Sequence, residues 1–156
     1  MASVKPRLRL ALLCSHVDFD ANGLPFSLHE PIHTLQIPPG TTGRYHPPPL
    51  ALYCQLEDAV GTFPFSVEVR DEQGFVINPN APRVVVAFPG TAYRAVPLEQ
   101  VLEVDITFPG PGVFFVHLVC NHRSMHEPAS PDDRPFPPAR VNVLSSVEEV
   151  SRGDSE

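Results

Sequence analysis

The residues that could do chemistry in this chain are seven histidines, three cysteines and the carboxylates near them. His29-Glu30-Pro31-Ile32-His33 matches H-E-x-x-H letter for letter. In a zinc protease that spacing works because a helix brings i and i+4 to one face, where both imidazoles reach one metal. Here Pro31 sits in the middle and would break a helix interior. Leu24-Pro25 before it and Pro38-Pro39 after it leave no room for a long helix. In a strand the two histidines share a face but stand about 13 Å apart, too far for one ion to take both. The motif therefore reads as a coincidence of letters.

Asp18-Phe19-Asp20-Ala21-Asn22-Gly23 copies the first six positions of an EF-hand loop. The twelfth position should be a bidentate Glu, and it is His29, with Glu30 one place late. The flanks are strand-like, and Asp and Asn before Gly are what an ordinary turn requires. His122, Arg123 and His126, with Glu127, fall in an aperiodic segment and read as a solvated polar loop that could touch a partner. His117, between Phe115 and Val119, reads as packed beneath a loop. Arg44-Tyr45-His46 precedes three prolines. It reads as a stiff connector and as a candidate docking patch, because a polyproline segment loses little entropy on binding. The candidate partner-binding residues are thus Arg44, Tyr45, His46, His122, Arg123 and His126. No metal ligand, cofactor or catalytic residue is assigned. The chain has no G-x-S-x-G, no P-loop and no dinucleotide fingerprint.

The elements that must position these residues are strands. Period-2 alternation dominates. Leu8, Leu10, Leu12 and Cys14 are expected to line one face of a first strand. Leu50, Leu52, Cys54 and Leu56 alternate with Tyr53, Gln55 and Glu57. Phe63 to Arg70 and Leu102 to Phe108 alternate in the same way, and Val141 and Val143 point inward near the end. Val84–Phe88 and Val113–Cys120 are apolar on both faces and are expected at sheet centres. Leu24 to Ile37 reads as a strand bent around Pro31. Asn22-Gly23 and Asp71–Gly74 read as turns. Pro109–Gly112 is short enough to make its two flanking strands antiparallel neighbours. Pro38–Pro49 and Asn121–Pro138 are long proline-rich connections, where scaffolds carry function. The second is expected to add little apolar burial.

These signals predict an all-β, immunoglobulin-like antiparallel sandwich of seven or eight strands. Residues 1–144 form the single domain, and 145–156 form an acidic tail carrying Glu148, Glu149, Asp154 and Glu156. The order of segments supports a resemblance: Leu12-Leu13-Cys14, then Asp20-Ala21-Asn22-Gly23, then the runs Leu50–Glu57 and Phe65–Arg70, then Pro109–Gly112 leading into Val113–Cys120. Over residues 7 to 144 the chain resembles a bacterial family of small proteins with a domain of unknown function and a β-sandwich fold. The resemblance implies that fold and a bacterial cytosolic setting, and it carries over no activity and no site residues. The length of the Asn121–Pro138 connection departs from the short hairpin expected there.

Composition agrees. Leu, Ile, Val and Phe supply 47 of 156 residues, and Val plus Ile outnumber Leu 23 to 14. That is enough for a core, and it favours pleated surfaces. The 20 prolines leave few helix-length windows. A net charge of −7 argues against nucleic acid, whose affinity rests on many basic contacts. Lys5, Arg7 and Arg9 form the one basic cluster and read as a solvated edge. Cys14, Cys54 and Cys120 fit no metal spacing and read as buried thiols, hence a cytoplasmic protein. Leu10–Leu13 is too short for a secretory signal, and no window approaches a membrane span. The expectation is a non-catalytic module acting through protein contacts, with a homo-oligomer left open. The rival is a small metal-dependent hydrolase using a histidine cluster.

Purified protein is expected to hold no stoichiometric zinc or calcium by elemental analysis, and its melting curve should not move in excess chelator. His29→Ala and His33→Ala should each change stability by no more than about 0.5 kcal/mol. One zinc per chain, lost in the His33 variant, would overturn the strand reading.

Overall fold

A computed structural model of the chain describes residues 4–41, 43–88, 98–128 and 130–145. Among the described residues there are ten strands and no helix. They are β1 (Arg7–Phe19), β2 (Pro25–Pro31), β3 (Thr34–Ile37), β4 (Leu50–Glu57), β5 (Gly61–Asp71), β6 (Val84–Phe88), β7 (Leu98–Val104), β8 (Gly112–Cys120), β9 (Arg123–Ser124) and β10 (Ala139–Ser145). Two sheets form. One runs β2-β1-β4-β7, and the other runs β3-β10-β8-β5-β6 with β9 beside β8. The tail beyond Ser145 lies outside the described residues.

The alternation of β4, β5 and β10 is realised as read. Leu52, Cys54, Val69 and Val141 are wholly buried in a core between the two sheets. The Leu24–Ile37 segment bends where expected and also changes sheets. Glu30 takes a left-handed conformation at φ 47°, and Pro31 ends β2. The chain then crosses to pair β3 in parallel with β10, Leu35 opposite Val143.

Four expectations are corrected. The strand count is ten. In β1, Leu8 opposes Leu56 but Leu10 opposes Gln55, so Arg9 is an extra bulged residue. A bulge inverts every later side chain. Leu8 packs against the core, whereas Ala11 and Leu13 replace Leu10 and Leu12 on the inner face. Leu12 is correspondingly exposed.

The third correction concerns Pro109–Gly112. It joins β7 of one sheet to β8 of the other, so these strands are not neighbours. The connection arches over the core, where Phe108 and Phe114 meet with ring centroids 5.0 Å apart. Lastly, β8 is central but β6 is an edge, with Val84 and Val85 open to solvent. An apolar run permits burial on both faces but does not supply the neighbour that would cover the second one.

β1 changes partner at Cys14, which opposes both Ala51 of β4 and Pro31 of β2. Beyond that point β1 pairs only with β2, so the β1–β2 hairpin runs past the end of the sandwich.

The bulge at Arg9 is open to a direct check by urea unfolding. Leu13→Ala should cost about 3 kcal/mol, the usual penalty for a buried leucine, while Leu12→Ala should cost under about 1 kcal/mol. The reverse ranking would restore the unbulged register.

Candidate functional site

Three polar constellations stand out, and none was assembled from sequence. The first lies on the projecting hairpin. His16 and Asp18 alternate on β1, and His16 lies directly opposite His29 of β2. His16 Nε2 is 2.9 Å from Asp18 Oδ1, and His29 Nε2 meets Asp18 Oδ2. The two imidazoles are tilted neighbours, 5.6 Å between centroids. The hydrogen bond from His29 holds the Asp18 carboxyl below the usual carboxylate range. The structure thus joins one residue from each of the two discounted metal motifs.

The remaining members of those motifs disperse. Asp20 Oδ1 accepts the amides of Asn22 and Leu24, and Gly23 sits at φ 78°, an ordinary capped turn. His33 lies in the crossing between sheets, where its carbonyl accepts the Asn142 amide. Among the described residues, no group of three His, Cys, Asp or Glu side chains is arranged to hold a metal ion.

The second constellation ties down the proline-rich connector. Tyr45 exchanges two backbone hydrogen bonds with Phe108, at 2.9 and 2.8 Å. That places His46 beside Thr107 and Asp105, which share a face of an extended segment. His46 Nδ1 is 2.9 Å from Thr107 Oγ1, and Nε2 is 3.0 Å from Asp105 Oδ1. Hydroxyl, imidazole and carboxylate in series is the connectivity of a hydrolytic relay. All three groups stand in open solvent, without the water exclusion that gives such relays their strength. Of the proposed docking patch, Arg44 is exposed, Tyr45 packs against the core and His46 is held in this network.

The third constellation is buried and involves the Asn121–Pro138 loop. Asn121 and His122 both have positive φ, 50° and 65°, and they join β8 to β9 as a two-residue hairpin turn. The short hairpin expected there exists, with further chain after it. That chain folds back over β8. His126 Nε2 accepts the Leu118 amide at 3.0 Å, and Nδ1 donates to the Phe136 carbonyl at 2.8 Å. These bonds fix the neutral tautomer. His117 Nδ1 is 2.7 Å from Ser124 Oγ, and the His117 and His126 rings meet edge to face. Arg70 lies beside them, bonded to Glu68 at 2.8 Å and to Glu127 at 2.7 Å. The Arg70 bond holds the Glu127 carboxyl below its ordinary range.

His117 does lie beneath a loop, as read. The solvated-loop reading fails for His126, which is buried with both ring nitrogens engaged. It is a clamp, not an available contact. His122 and Arg123 are exposed, and His122 Nε2 lies 3.5 Å from Arg83 Nη2. The loop also packs Met125 and Phe136 against the core, so the expectation of little apolar burial is corrected too. Thr107 and Asp105 were missed because their partner His46 comes from a distant segment, and Ser124 because only the β8–β9 hairpin brings it onto His117. Only the Asn121 preference for positive φ was a readable local signal.

All three cysteines are buried free thiols. No protein-family model matches the chain. No curated protein matches it either.

Burial pushes the His117 imidazole down to about 4, with Arg70 adding to the effect, and burial also lowers His126. An unfolded histidine takes its proton near pH 6.5. Between there and pH 4 the unfolded chain binds more protons, so stability falls as pH falls. The melting temperature should drop across that window. His117→Gln with His126→Gln should flatten the drop while lowering stability at pH 7. An equal drop in the double variant would place the effect elsewhere.

Proposed function

We propose that the chain is a non-catalytic binding module and that its partner is a protein, which adds an extended segment along the free edge of β2. One observation carries this reading. Phe19, Leu24, Phe26 and Leu28 crowd the end of the projecting hairpin, with Phe26 68% and Leu24 53% exposed. Phe26 is the extra residue where the β1–β2 register slips, Asp18 opposing Ser27 while Phe19 opposes Pro25. Apolar side chains concentrated at one site mark interaction surfaces. The occupant follows from the backbone beside them. β2 pairs only with β1, so one edge between Pro25 and Pro31 is open among the described residues. An open edge flanked by apolar side chains suits strand addition, with backbone bonds for affinity and side-chain contacts for selectivity. Glu30 and Pro31 limit the added strand to a few residues.

The scaffold is an immunoglobulin-like sandwich in this reading. Support comes from the run β10-β8-β5, which matches the order G-F-C, and from β4 beside β7, which matches B beside E. β1 beside β4 matches A beside B, and β2 beyond it is an addition to that plan. A bacterial cytoplasmic setting rests on the three free thiols and on the resemblance noted above. No helix among the described residues is long and apolar enough to cross a membrane. The metal-dependent hydrolase reading draws on the approach of His16 and His29 to Asp18, and elemental analysis separates the two.

Crosslinking and pull-down from the native host should be run with wild type, Phe26→Asp and Val85→Thr. The second variant alters the other exposed edge, β6. A partner captured by wild type and Val85→Thr but lost with Phe26→Asp supports the proposal. The same capture by all three would sink it. Self-association abolished by Phe26→Asp would replace the partner with a second copy.

A further inference from the structure

The chain carries −7 overall, yet one cleft concentrates its cations. The cleft has a volume of about 260 Å³ and brings together three segments: Lys5 and Arg7 at the start of β1, Arg123 on β9, and Arg134 in the loop that returns over β8. Four cations face two carboxylates, Glu127 and Asp133. Glu127 is already engaged by Arg70 at 2.7 Å. Arg134 Nη1 donates to the Pro131 and Asp133 carbonyls, which fixes its position without neutralising it. Arg7 reaches Asp58 only at 3.6 Å, with both side chains well exposed. Among the described residues, Lys5 and Arg123 make no salt bridge within 4.0 Å, and Arg123 acts on the Glu127 carboxyl only through its charge. Four cations against two carboxylates, one of them shared with Arg70, leave the cleft net positive, which favours an anion there.

The walls are held in place. Val4 exchanges backbone hydrogen bonds with Val60 at 2.9 and 3.0 Å, and the following Pro6 is buried. Arg123 opposes Cys120 across the tight β8–β9 hairpin. The loop bearing Arg134 is anchored by the His126 clamp. Beneath lies Cys120, whose thiol is pushed up by burial and drawn partly back by the Lys5 ammonium. Walls that are fixed before the ligand arrives reduce the entropy lost on binding.

We infer that this cleft is an anion site that takes a phosphomonoester, with Lys5 and Arg123 as its principal ligands and Arg7 and Arg134 at its rim. A dianion suits it because Lys5 has no salt bridge, Arg123 has only Glu127, which Arg70 already engages, and guanidinium groups match phosphate oxygens in pairs. The phosphoryl group can come from a small phosphate ester or from a phosphorylated side chain of a protein. The site is separate from the β2 edge and does not depend on that reading.

Titration calorimetry at fixed ionic strength tests it, with inorganic phosphate, O-phosphoserine and a phosphoserine heptapeptide as probes and the unphosphorylated peptide as control. Binding should be saturable and weaken at least tenfold in Lys5→Gln and in Arg123→Gln. Arg140→Gln, an exposed arginine on β10 outside the cleft, should bind as wild type does. Unchanged melting temperatures without ligand establish that the variants fold. Tighter binding of the heptapeptide identifies a phosphoprotein source, and its exclusion while phosphoserine binds identifies a small ester. No binding by any probe, or equal binding by wild type and both cleft variants, overturns the inference.

Discussion

Burial of both faces of β8 is the constraint on which the rest of this structure depends. Its inner face supplies Phe114, Val116 and Leu118 to the core. Its outer face carries His117 and Val119, which are also buried. A second sheet covers only one side, so something else must cover the other. The loop after β9 does so, and His126 holds it there by accepting an amide from β8 itself and donating to Phe136. The loop that composition marks as a solvated surface is therefore part of the packed domain. The same clamp fixes one wall of the basic cleft.

At the opposite extreme stands the β1–β2 hairpin. β1 is long enough to serve β4 with its first half and β2 with its second, and Cys14 is the residue shared by both. The second half has no sheet beyond β2 to support it. Val17 stays buried while Phe19, Leu24 and Phe26 at the end are exposed, the turn is capped by Asp20, and Asp18 of β1 bonds His29 across the pair. Such an element rests mainly on its own strand pairing and turn rather than on the core. Clamped loop and projecting hairpin are thus two answers to the same problem, an apolar strand face that the sandwich leaves uncovered.

How far the site could be read from residues follows the range of the interactions. Pro31 denied the helix that H-E-x-x-H requires, and the chain indeed turns between His29 and His33. The Asp20–Gly23 turn was legible because Asx capping acts within four residues. The pairing of Asp18 with His29 and of His46 with Asp105 was not legible, nor was the placing of Lys5 and Arg123 on one cleft. Those residues lie 11, 59 and 118 positions apart (differences of the residue numbers), and alternation says nothing about which strands lie side by side.

The amino-acid sequence by itself determined strand content, most inner faces and the turns, since each depends on neighbours two to four residues away. Leu52, Val69 and Val141 point inward because alternation and burial agree on a single solution. Tertiary structure alone decided the rest. One bulged residue, Arg9, reversed the faces of β1, because period 2 has no memory across an insertion. β6 became an edge although it is as apolar as a central strand, because centrality is a property of the neighbours, not of the strand. His126 became a clamp only when folding delivered both the Leu118 amide and the Phe136 carbonyl to its ring.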